Sequence, residues 1–449
     1  MFNYKIEFRG DSSTAILIAP NGYGKTAFLS VLNACLQFRL YDAVEYRFDE
    51  LSVEFEDGAR WSFKRTKFTE EDIPGEGEDR VHRMRIRRRR QGESFIKFTS
   101  YDEKGKQKKE KESGGIESIP RQVLLRAIDS HLPVSRLSAD SFKDFRSGEV
   151  LRFNEIFERY KGELLSDPDF RAQIGDYAPY LLKSADQKLN CVFIETQRLL
   201  QTRITARADN DAARPQEEIL HQAAYLASLL QRTYASYAAT SQDLDRSFPN
   251  RLVSRSERSK SYDIKALKGE LDAIEAKRRA LTDAGILVDT SEPLVAPKDE
   301  FIKNVADALE IYVEDSKKKL STFDEIFSKV SVFRDLLSKK LRPKSLGINR
   351  ENGAEVRRGK DLVELDKLSS GEKHEFIMLF RLIFETPPLS LVLIDEPEIS
   401  LHVSWQLEFM SDLGRIQSAN SFQCIIATHS PQIIQGAEDI TFDLSEQAK

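Results

Sequence analysis

The sequence is poor in cysteine and has no long apolar run. Its 449 residues include only three cysteines, Cys35, Cys191 and Cys424, which lie far apart in apolar surroundings. They form neither a metal-binding pair nor a disulfide framework, so we expect a reducing, cytoplasmic location. No stretch of about 18 apolar residues is present, so we expect no membrane-spanning helix. The first residues also lack the basic and apolar segments of a secretory signal.

The sequence also lacks a strong net charge and an obvious metal site. The formal net charge is −5, which argues against general affinity for nucleic acid but leaves room for a local basic patch. We find no H-N-H pattern and no metal-ligand cluster among the six histidines, which are His82, His131, His221, His374, His402 and His429. A nuclease site within this chain is therefore not expected.

Short apolar segments separated by turns occupy the first hundred residues and predict strands. They read NYKIEF, TAILIA, LSVEFE, RWSFKR and SFIKFTS. The segment after Lys25 has apolar residues at helical spacing, which predicts a helix. Residues 63–114 are highly charged, and we expect loops and exposed hairpin edges there. Two later apolar runs, LSLVLI and CIIA, predict buried parallel strands. These patterns indicate an α/β fold with a mixed sheet and helices.

The middle of the chain changes to a helical period. Three rows of apolar residues follow steps of three and four positions, starting at Leu220, at Ile264 and at Ile302, the last running to Leu337. This period is typical of helices that pack along a seam. The rows fit either an ordinary helical bundle or a coiled-coil arm that projects from a globular head. We therefore expect a head lobe with a phosphate loop and a β-rich part over residues 1–200, an inserted helical arm over 201–341, and a second head lobe over 342–449.

The stretch ILIAPNGYGKT, residues 16–26, predicts a phosphate-binding loop between a strand and a helix. Backbone N–H groups at the start of a helix favour an anion. In the pattern G-x-x-x-x-G-K-[ST], Lys25 contacts the β- and γ-phosphates and the Thr26 hydroxyl binds Mg²⁺. Ala19 replaces the first glycine, but the strand ends there and the tight bend comes later. A chance strand-turn-helix is the alternative. The predicted nucleotide contacts are Asn21, Gly22, Tyr23, Gly24, Lys25 and Thr26.

Two acidic residues follow the apolar run LVLI. Asp395 and Glu396 would lie at the carboxyl end of a buried strand, where ligands bind in open α/β sheets. There Asp395 would bind Mg²⁺ and Glu396 would activate the attacking water. Alternatively, Glu396 and Glu398 would open a helix and interact with its dipole. His429 ends the next apolar strand and could reach the γ-phosphate or the water, although a structural histidine is the alternative.

The segment LSSGEKHEFIMLFRLIF, residues 368–384, opens with Ser369 and Glu372 at the spacing of a capping box. This spacing predicts the start of an amphipathic helix. A helix N-terminus beside a glycine, here Gly371, also binds phosphate. The segment therefore has both a structural and a nucleotide-binding interpretation.

The order of these segments is distinctive. A phosphate loop, a long insertion, L-S-S-G-E, an apolar strand ending in D-E-P and a strand ending in histidine follow one another. Over residues 1–200 and 342–449 the chain resembles the soluble ABC-type ATPases of the SMC, RecF and OLD kind. The wording LSSGEKHEFIMLFRLIF, LIDEPEISLHVSWQ and IIATHSPQII is similar to the ATPase subunit of Septu-type anti-phage systems, which is also found beside some retrons.

The resemblance implies that two heads sandwich ATP and Mg²⁺. Lys25 and Thr26 of one head would meet Ser369, Ser370 and Gly371 of the other head across the γ-phosphate. The two half-sites would then belong to different molecules, and ATP binding would depend on a homo-oligomer. We expect a dimer of heads, or a larger assembly such as a hexamer.

Three further residues receive roles from the same resemblance. Gln197 would sense Mg²⁺ and water, although Arg198 beside it could contact a phosphate instead. Arg9, in a short F-R segment, would lie near the nucleotide. His402 stands where many relatives carry aspartate, which leaves its role across the dimer open.

The resemblance leaves two classes of function. One is an ATPase with slow hydrolysis that serves as sensor or regulatory scaffold for a separate nuclease subunit in anti-phage defence. Only 20 residues follow His429, too few for the Toprim nuclease of OLD proteins, and the Septu resemblance implies an H-N-H partner before a Toprim partner. The other class is an SMC- or RecF-like ATPase that clamps or repairs DNA without a nuclease, although no C-x-x-C hook is present. Neither class involves a membrane.

An arginine run bears on the choice between these classes. If extended, RMRIRRRR would place four arginines on one face, where they could bind DNA phosphates. A solvated strand edge that balances the adjacent acidic loop is the alternative. The four residues are Arg83, Arg85, Arg87 and Arg89.

Overall fold

The computed structural model describes most of the chain. The described residues are 3–10, 12–37, 40, 43, 46–67, 94–112, 125, 128–130, 132–137, 141–145, 149–152, 155–156, 159–160, 189–196, 218–256, 263–288 and 299–447. The strands are β1 (Thr14–Ile18), β2 (Glu50–Glu54), β3 (Arg60–Lys67), β4 (Ser94–Tyr101), β5 (Gln107–Glu112), β6 (Val134–Arg136), β7 (Ser141–Asp144), β8 (Val150–Arg152), β9 (Cys191–Ile194), β10 (Ser345–Asn349), β11 (Gly353–Arg358), β12 (Asp361–Val363), β13 (Leu391–Asp395), β14 (Gln423–Ala427) and β15 (Thr441–Asp443).

The described α-helices alternate with these strands at both ends of the chain and follow one another in the middle. They are α1 (Lys25–Leu36), α2 (Glu218–Ser256), α3 (Ile264–Asp283), α4 (Asp299–Ser321), α5 (Asp324–Lys340), α6 (Ser370–Phe380), α7 (Val403–Asn420), α8 (Pro431–Ile434) and α9 (Leu444–Gln447). A turn of π-helix, Arg381–Glu385, extends α6.

A five-stranded parallel sheet forms the centre of the fold. Its strand order is β15-β1-β14-β13-β9. The predicted buried parallel strands are confirmed, because LVLID in β13 is wholly buried and only the first residue of QCIIA in β14 is exposed. In parallel strands the carboxyl ends meet at one edge of the sheet. The loops that follow β1, β9, β13 and β14 therefore leave from the same edge, which we call the nucleotide edge.

Helix α1 lies between two sheets. Leu29, Leu32 and Leu36 share a buried cluster with residues of the parallel sheet, and each buried leucine contributes about 1.5–3 kcal/mol to folding. On its other side, Val31 and Cys35 pack against the antiparallel sheet β2-β3-β4-β5. This packing fixes the start of α1 relative to the nucleotide edge. Two further antiparallel sheets of three strands each are β6-β7-β8 and β10-β11-β12.

One predicted strand is wrong. The alternation in NYKIEF predicts a strand, but residues 3–8 form none in the described structure. Tyr4, Ile6 and Phe8 do pack on the core by one face, which explains the alternation. The backbone N–H of Lys5 bonds to a side chain and not to a neighbouring strand: it donates to Oε1 of Gln447 at 2.7 Å.

The helical middle of the chain packs onto the head. Residues of α2, α3, α4 and α5 share one apolar core with α6, α7 and the parallel sheet. Helix α2 has 39 residues, a length of about 58 Å at 1.5 Å per residue. The third apolar row is divided between two helices, because α4 ends at Ser321 and α5 begins at Asp324. The domain boundaries at 200 and 341, and a projecting coiled-coil arm, stay predictions.

Candidate nucleotide site

The loop between β1 and α1 has the backbone of an anion cradle. Gly22 and Gly24 have φ angles of +90° and +77°, which glycine adopts without the strain that a side chain brings. Gly24 is the N-cap of α1, and no side chain caps this helix. No acidic residue lies in its first turn either. The first N–H groups of α1 and the positive end of its dipole are therefore left for an anionic ligand.

Lys25 is buried beside this loop. Its side chain is part of a residue only 6% exposed, and Nζ donates to the carbonyl of Ala19 at 2.8 Å. Nζ also lies 2.6 Å from Nε2 of His429. Burial lowers the pKa of Lys25, although the charges of Glu396, Asp395 and Glu398 act in the opposite direction. An ammonium that is partly desolvated is suited to an incoming phosphate.

Asp395 collects two hydroxyl groups at the end of β13. The residue is 2% exposed. Oγ1 of Thr26 lies 3.1 and 3.0 Å from its two carboxylate oxygens. Oγ1 of Thr196, two residues after the end of β9, donates to Oδ2 at 2.8 Å. A carboxylate and two hydroxyls provide the oxygen ligands that Mg²⁺ prefers, so these residues fit that ion.

Glu396 has a strained backbone next to the site. Its φ angle is +46°, which is unfavourable for a residue with a side chain and more so before proline, here Pro397. Oε1 of Glu396 lies 3.8 Å from Nε2 of His429. Such strain persists at functional sites where the surroundings hold it. The alternative that Glu396 opens a helix is wrong, because residues 397–400 form a turn and α7 begins at Val403.

Glu398 holds the histidine loop through both carboxylate oxygens. Oε1 accepts the backbone N–H of His429 at 2.6 Å, and Oε2 accepts the Thr428 hydroxyl at 2.9 Å. The sequence pattern predicts neither this role of Glu398 nor the contact of Thr196. The available signal was only that both residues follow apolar strands of the same sheet.

The segment Ser369–Glu372 forms the predicted capping box. The Ser369 hydroxyl accepts the N–H of Glu372, and the Glu372 carboxylate accepts the N–H of Ser369. Burial alone would raise the pKa of Glu372, but hydrogen bonds from Lys344 and Ser369 lower it below its ordinary value. Ser369 and Ser370 are exposed. Gly371 packs closely, because a Cβ there would lie 2.7 Å from the carbonyl oxygen of Ser400.

Some of the remaining predicted residues are described in the structure, and the others lie outside the described residues. Asn21, Gly22 and Tyr23 belong to the anion cradle, and the carbonyl of Tyr23 accepts the Tyr4 hydroxyl at 2.7 Å. The guanidinium of Arg9 stacks on the ring of Phe442, in β15, and donates to the carbonyl of Asp439, just before that strand. His402 is the N-cap of α7. Five predicted residues lie outside the described residues: Gln197, Arg83, Arg85, Arg87 and Arg89.

The family follows from a match that begins just before β9. Residues 178–435 match the family described as "AAA domain, putative AbiEii toxin, Type IV TA system". The chain belongs to this AAA family. The match contains Asp395, Glu396 and His429, but it begins after the phosphate loop in the sequence. In the fold this loop lies next to the matched region, because β1 pairs with β14. Membership of a P-loop ATPase family implies nucleotide binding.

One curated relative matches over a short segment. Protein ea59 of Escherichia phage lambda is 34% identical over 122 residues, which are 26% of this chain and 23% of that protein. The chain thus spans about a quarter of that relative's length.

Several solved structures align over most of the chain. An Smc head bound to the C-terminal winged-helix domain of ScpA is 11% identical, with 94% of this chain and 84% of that chain covered and a TM-score of 0.31. The Smc head of Pyrococcus furiosus is 13% identical, covers 94% and 85%, and has a TM-score of 0.29. The head from Thermotoga maritima is 10% identical, covers 94% and 83%, and scores 0.27.

The described residues contain neither a membrane-spanning helix nor a cluster of metal ligands. None of the helices in them is long and apolar enough to cross a bilayer. Nor do the described residues contain a group of three or more His, Cys, Asp or Glu side chains placed to hold a metal ion.

Proposed function

We propose that the chain binds ATP at the nucleotide edge and hydrolyses it slowly. The observation that carries the proposal is the convergence of a buried lysine, an uncapped helix start, two hydroxyls on Asp395 and a strained glutamate beside a histidine. Membership of the AAA family supports it. These groups come from the segments that follow four strands, β1, β9, β13 and β14, at one edge of the sheet, as expected for a site in an open α/β sheet.

The roles follow from charge and position. The N–H groups at the start of α1 and the Lys25 ammonium would bind the β- and γ-phosphates. Mg²⁺, held by Thr26 and Asp395, would neutralise charge on the phosphate oxygens. Glu396 would take the proton of the attacking water. His429, with Nε2 at 2.6 Å from Nζ of Lys25 and 3.8 Å from Oε1 of Glu396, would lie beside the γ-phosphate or the attacking water.

A glutamate-to-glutamine pair tests the base. Glu396→Gln should keep ATP binding and lower kcat by about 10²–10⁴-fold, because a general base is lost while the shape is kept. Glu408→Gln, on the exposed side of α7, is the matched control and should hydrolyse ATP as the wild type does. Equal turnover of wild type and Glu396→Gln would show that another group activates the water.

We propose further that two heads complete the site. The exposed Ser369 and Ser370 at the start of α6 support this, because an uncovered helix start can meet a nucleotide held by another head. Complementation tests it. Lys25→Ala and Ser370→Arg should each be inactive alone, and their mixture should regain part of the activity, since one shared site would be intact. A mixture as inactive as the separate variants would contradict the shared site.

We propose that the ATPase regulates a separate nuclease subunit in anti-phage defence. The motif wording similar to Septu-type ATPases supports this role. Affinity purification from the native cell, with mass spectrometry and light scattering, tests it. A small H-N-H or Toprim protein at a fixed ratio is the expected result. Recovery of this chain alone, as an ATP-dependent dimer that binds DNA ends, would favour the second candidate instead.

That second candidate is a DNA-clamping ATPase without a nuclease. The observation that favours it is the run of alternate arginines at 83, 85, 87 and 89. Binding of duplex DNA should weaken steeply with salt if these residues contact phosphates. Arg87→Glu should then reduce the affinity and the salt dependence together. Unchanged DNA binding would leave the run as a solvated edge.

A further inference from the structure

The turn after β13 and the loop after β14 are joined by three hydrogen bonds. The first is a backbone bond from the N–H of Glu396 to the carbonyl of Ala427 at 2.8 Å. The other two end on the Glu398 carboxylate, which receives the His429 N–H and the Thr428 hydroxyl at 2.6 and 2.9 Å. Bonds from an N–H or O–H to a carboxylate are about twice as strong as bonds between neutral groups. Glu398 is therefore the main link between these two loops.

The Thr428 end of this link is itself fixed. Thr428 is completely buried, and its hydroxyl accepts the N–H of Ser430 at 2.9 Å while it donates to Glu398. Its own N–H donates to the carbonyl of Leu17 at 3.1 Å, at the end of β1. The Glu398 carboxylate is thus bonded to a residue, Thr428, that is itself bonded to the parallel sheet.

The His429 end points into the nucleotide site. With its backbone N–H on Glu398, the ring places Nε2 at 2.6 Å from Nζ of Lys25 and 3.8 Å from Oε1 of Glu396. A ring between the phosphate-binding lysine and the proposed base is sensitive to small displacements. A displacement of about 1 Å can cost about 100-fold in rate.

The turn that carries Glu398 is strained on both sides of it. Glu396 and Ser400 have φ angles of +46° and +65°. Residues with side chains keep such angles only when other contacts hold them. The two bonds of Glu398 lie between these positions in the sequence, so they are placed to hold the turn in its strained form.

We propose that Glu398 is a positioning residue for ATP hydrolysis. Its carboxylate fixes the backbone of His429 relative to the turn of Glu396. The inference rests on the proposed ATPase function. Glu398 acts through His429 and Glu396, and it takes no proton from the water. Its loss should therefore lower kcat and leave nucleotide binding in place.

Kinetics of three variants test the proposal. Glu398→Ala should lower kcat about 10–100-fold, the usual range for a residue that orients a working side chain, with KM for ATP and the affinity for a fluorescent ATP analogue within about 3-fold of wild type. Glu398→Gln, which keeps an acceptor for the His429 N–H, should regain most of the activity. Glu408→Ala is the matched control. A kcat for Glu398→Ala equal to that of Glu408→Ala would overturn the proposal.

A double variant separates positioning from general damage. In a His429→Ala background, adding Glu398→Ala should change kcat by less than about 3-fold, because the residue that it positions is gone. Multiplicative losses would overturn the proposal. A wild type that binds ATP without hydrolysing it would defeat the ATPase function itself, which is a different outcome.

Histidine NMR gives a readout that needs no activity. In protein labelled with ¹⁵N-histidine, the His429 ring signals are those that vanish in His429→Ala. Glu398→Ala should shift them, whereas Glu408→Ala should not. Unchanged His429 signals in folded Glu398→Ala, or in Glu398→Gln and Glu398→Ala alike, would overturn the proposal.

Discussion

Two buried lysines of this chain have opposite surroundings. Nζ of Lys25 contacts a carbonyl and an imidazole, and burial lowers its pKa. Nζ of Lys340, at the end of α5, lies 2.9 Å from Glu375 of α6 and 2.9 Å from Asp412 of α7. Burial alone would lower the pKa of Lys340, but the two carboxylates raise it above its ordinary value. We call these three residues the helix-junction triad.

The difference separates a lysine that awaits a ligand from one whose charge is already matched. The triad joins the helical middle of the chain to the helix of Ser369 and the helix after Glu396, and Trp405 lies beside it, with its ring 5.8 Å from Nζ of Lys340. The Lys340 ammonium has two carboxylate partners within the fold. At the nucleotide edge, by contrast, Nζ of Lys25 donates to a carbonyl, and the charges of nearby carboxylates do not overcome the effect of its burial, so this ammonium is suited to a polyanion.

The largest effect should come from removing the nucleotide-edge lysine. Lys25→Met should weaken ATP binding by about 100-fold or more, because a desolvated charge on the phosphates is lost. The free energy of unfolding should not fall, because the cost of burying this ammonium outweighs its attraction to Glu396, Asp395 and Glu398, as its lowered pKa indicates. Titration with a fluorescent ATP analogue and urea unfolding measure the two quantities. If Lys25→Met lost stability but kept ATP affinity, Lys25 would be a structural lysine like Lys340 and the distinction between the two would be wrong.

The same substitution in the triad should act on stability instead. Lys340→Met should lower the free energy of unfolding by about 3–5 kcal/mol, because two buried carboxylates lose their cation. ATP affinity of the folded protein should stay within about 3-fold. Lys339→Met is the matched control, since Lys339 is exposed on the same helix, and it should change stability by less than about 0.5 kcal/mol. Equal stabilities of the two variants would show that the triad contributes nothing.

Raising the pH should change the contributions of the two lysines to folding stability in opposite directions. With its pKa raised in the folded state, Lys340 stabilises the fold fully below the ordinary lysine pKa of 10.5, and this stabilisation is lost as pH rises through the folded-state pKa. With its pKa lowered, Lys25 releases its proton first in the folded state, so stability rises toward the ordinary value.

Urea unfolding from about pH 8 to about pH 11 would measure both effects. The stability difference between wild type and Lys340→Met should shrink at the alkaline end. The difference between wild type and Lys25→Met should shift in favour of the wild type just below the ordinary pKa. Parallel pH profiles for the two variants would contradict the distinction between the lysines.

Local patterns predicted the parts of this molecule that depend on a few neighbouring residues. The capping box at Ser369, the buried strands at β13 and β14, and the helix after Lys25 each follow from spacing within one element. Their order along the chain also indicated that Lys25 and Asp395 serve one site. The described structure brings them together.

Other features depend on which strands and helices become neighbours. Thr196 reaches Asp395 only because β9 pairs with β13, and Glu398 reaches Thr428 only because β13 pairs with β14. The triad joins residues on three helices. No glycine or proline marks the break between α4 and α5, and only Asp324 and Glu325 in the first turn of α5 indicate it. No short segment of the sequence predicts strand order or helix packing.

The smallest predicted effect concerns the place where the two regions meet. A Cβ on Gly371 would lie 2.7 Å from the Ser400 carbonyl and 3.7 Å from the ring of Trp405, the neighbour of the triad. Gly414, in α7, is the matched control, because no atom lies within 4 Å of its Cβ position. Alanine in a helix is favoured over glycine by about 0.5–1 kcal/mol, so Gly414→Ala should stabilise the fold by that amount.

Gly371→Ala should instead destabilise the fold by about 1–3 kcal/mol, because the Ser400 backbone must move to admit the methyl group. Since Ser400 ends the turn that carries Glu396, kcat should fall with it. Urea unfolding and ATP turnover of the two alanine variants decide the matter. If Gly371→Ala were as stabilising as Gly414→Ala, the turn would not be closely packed on α6. The triad and the nucleotide edge would then be independent regions, and a displacement of α6 would have no direct route to the proposed base.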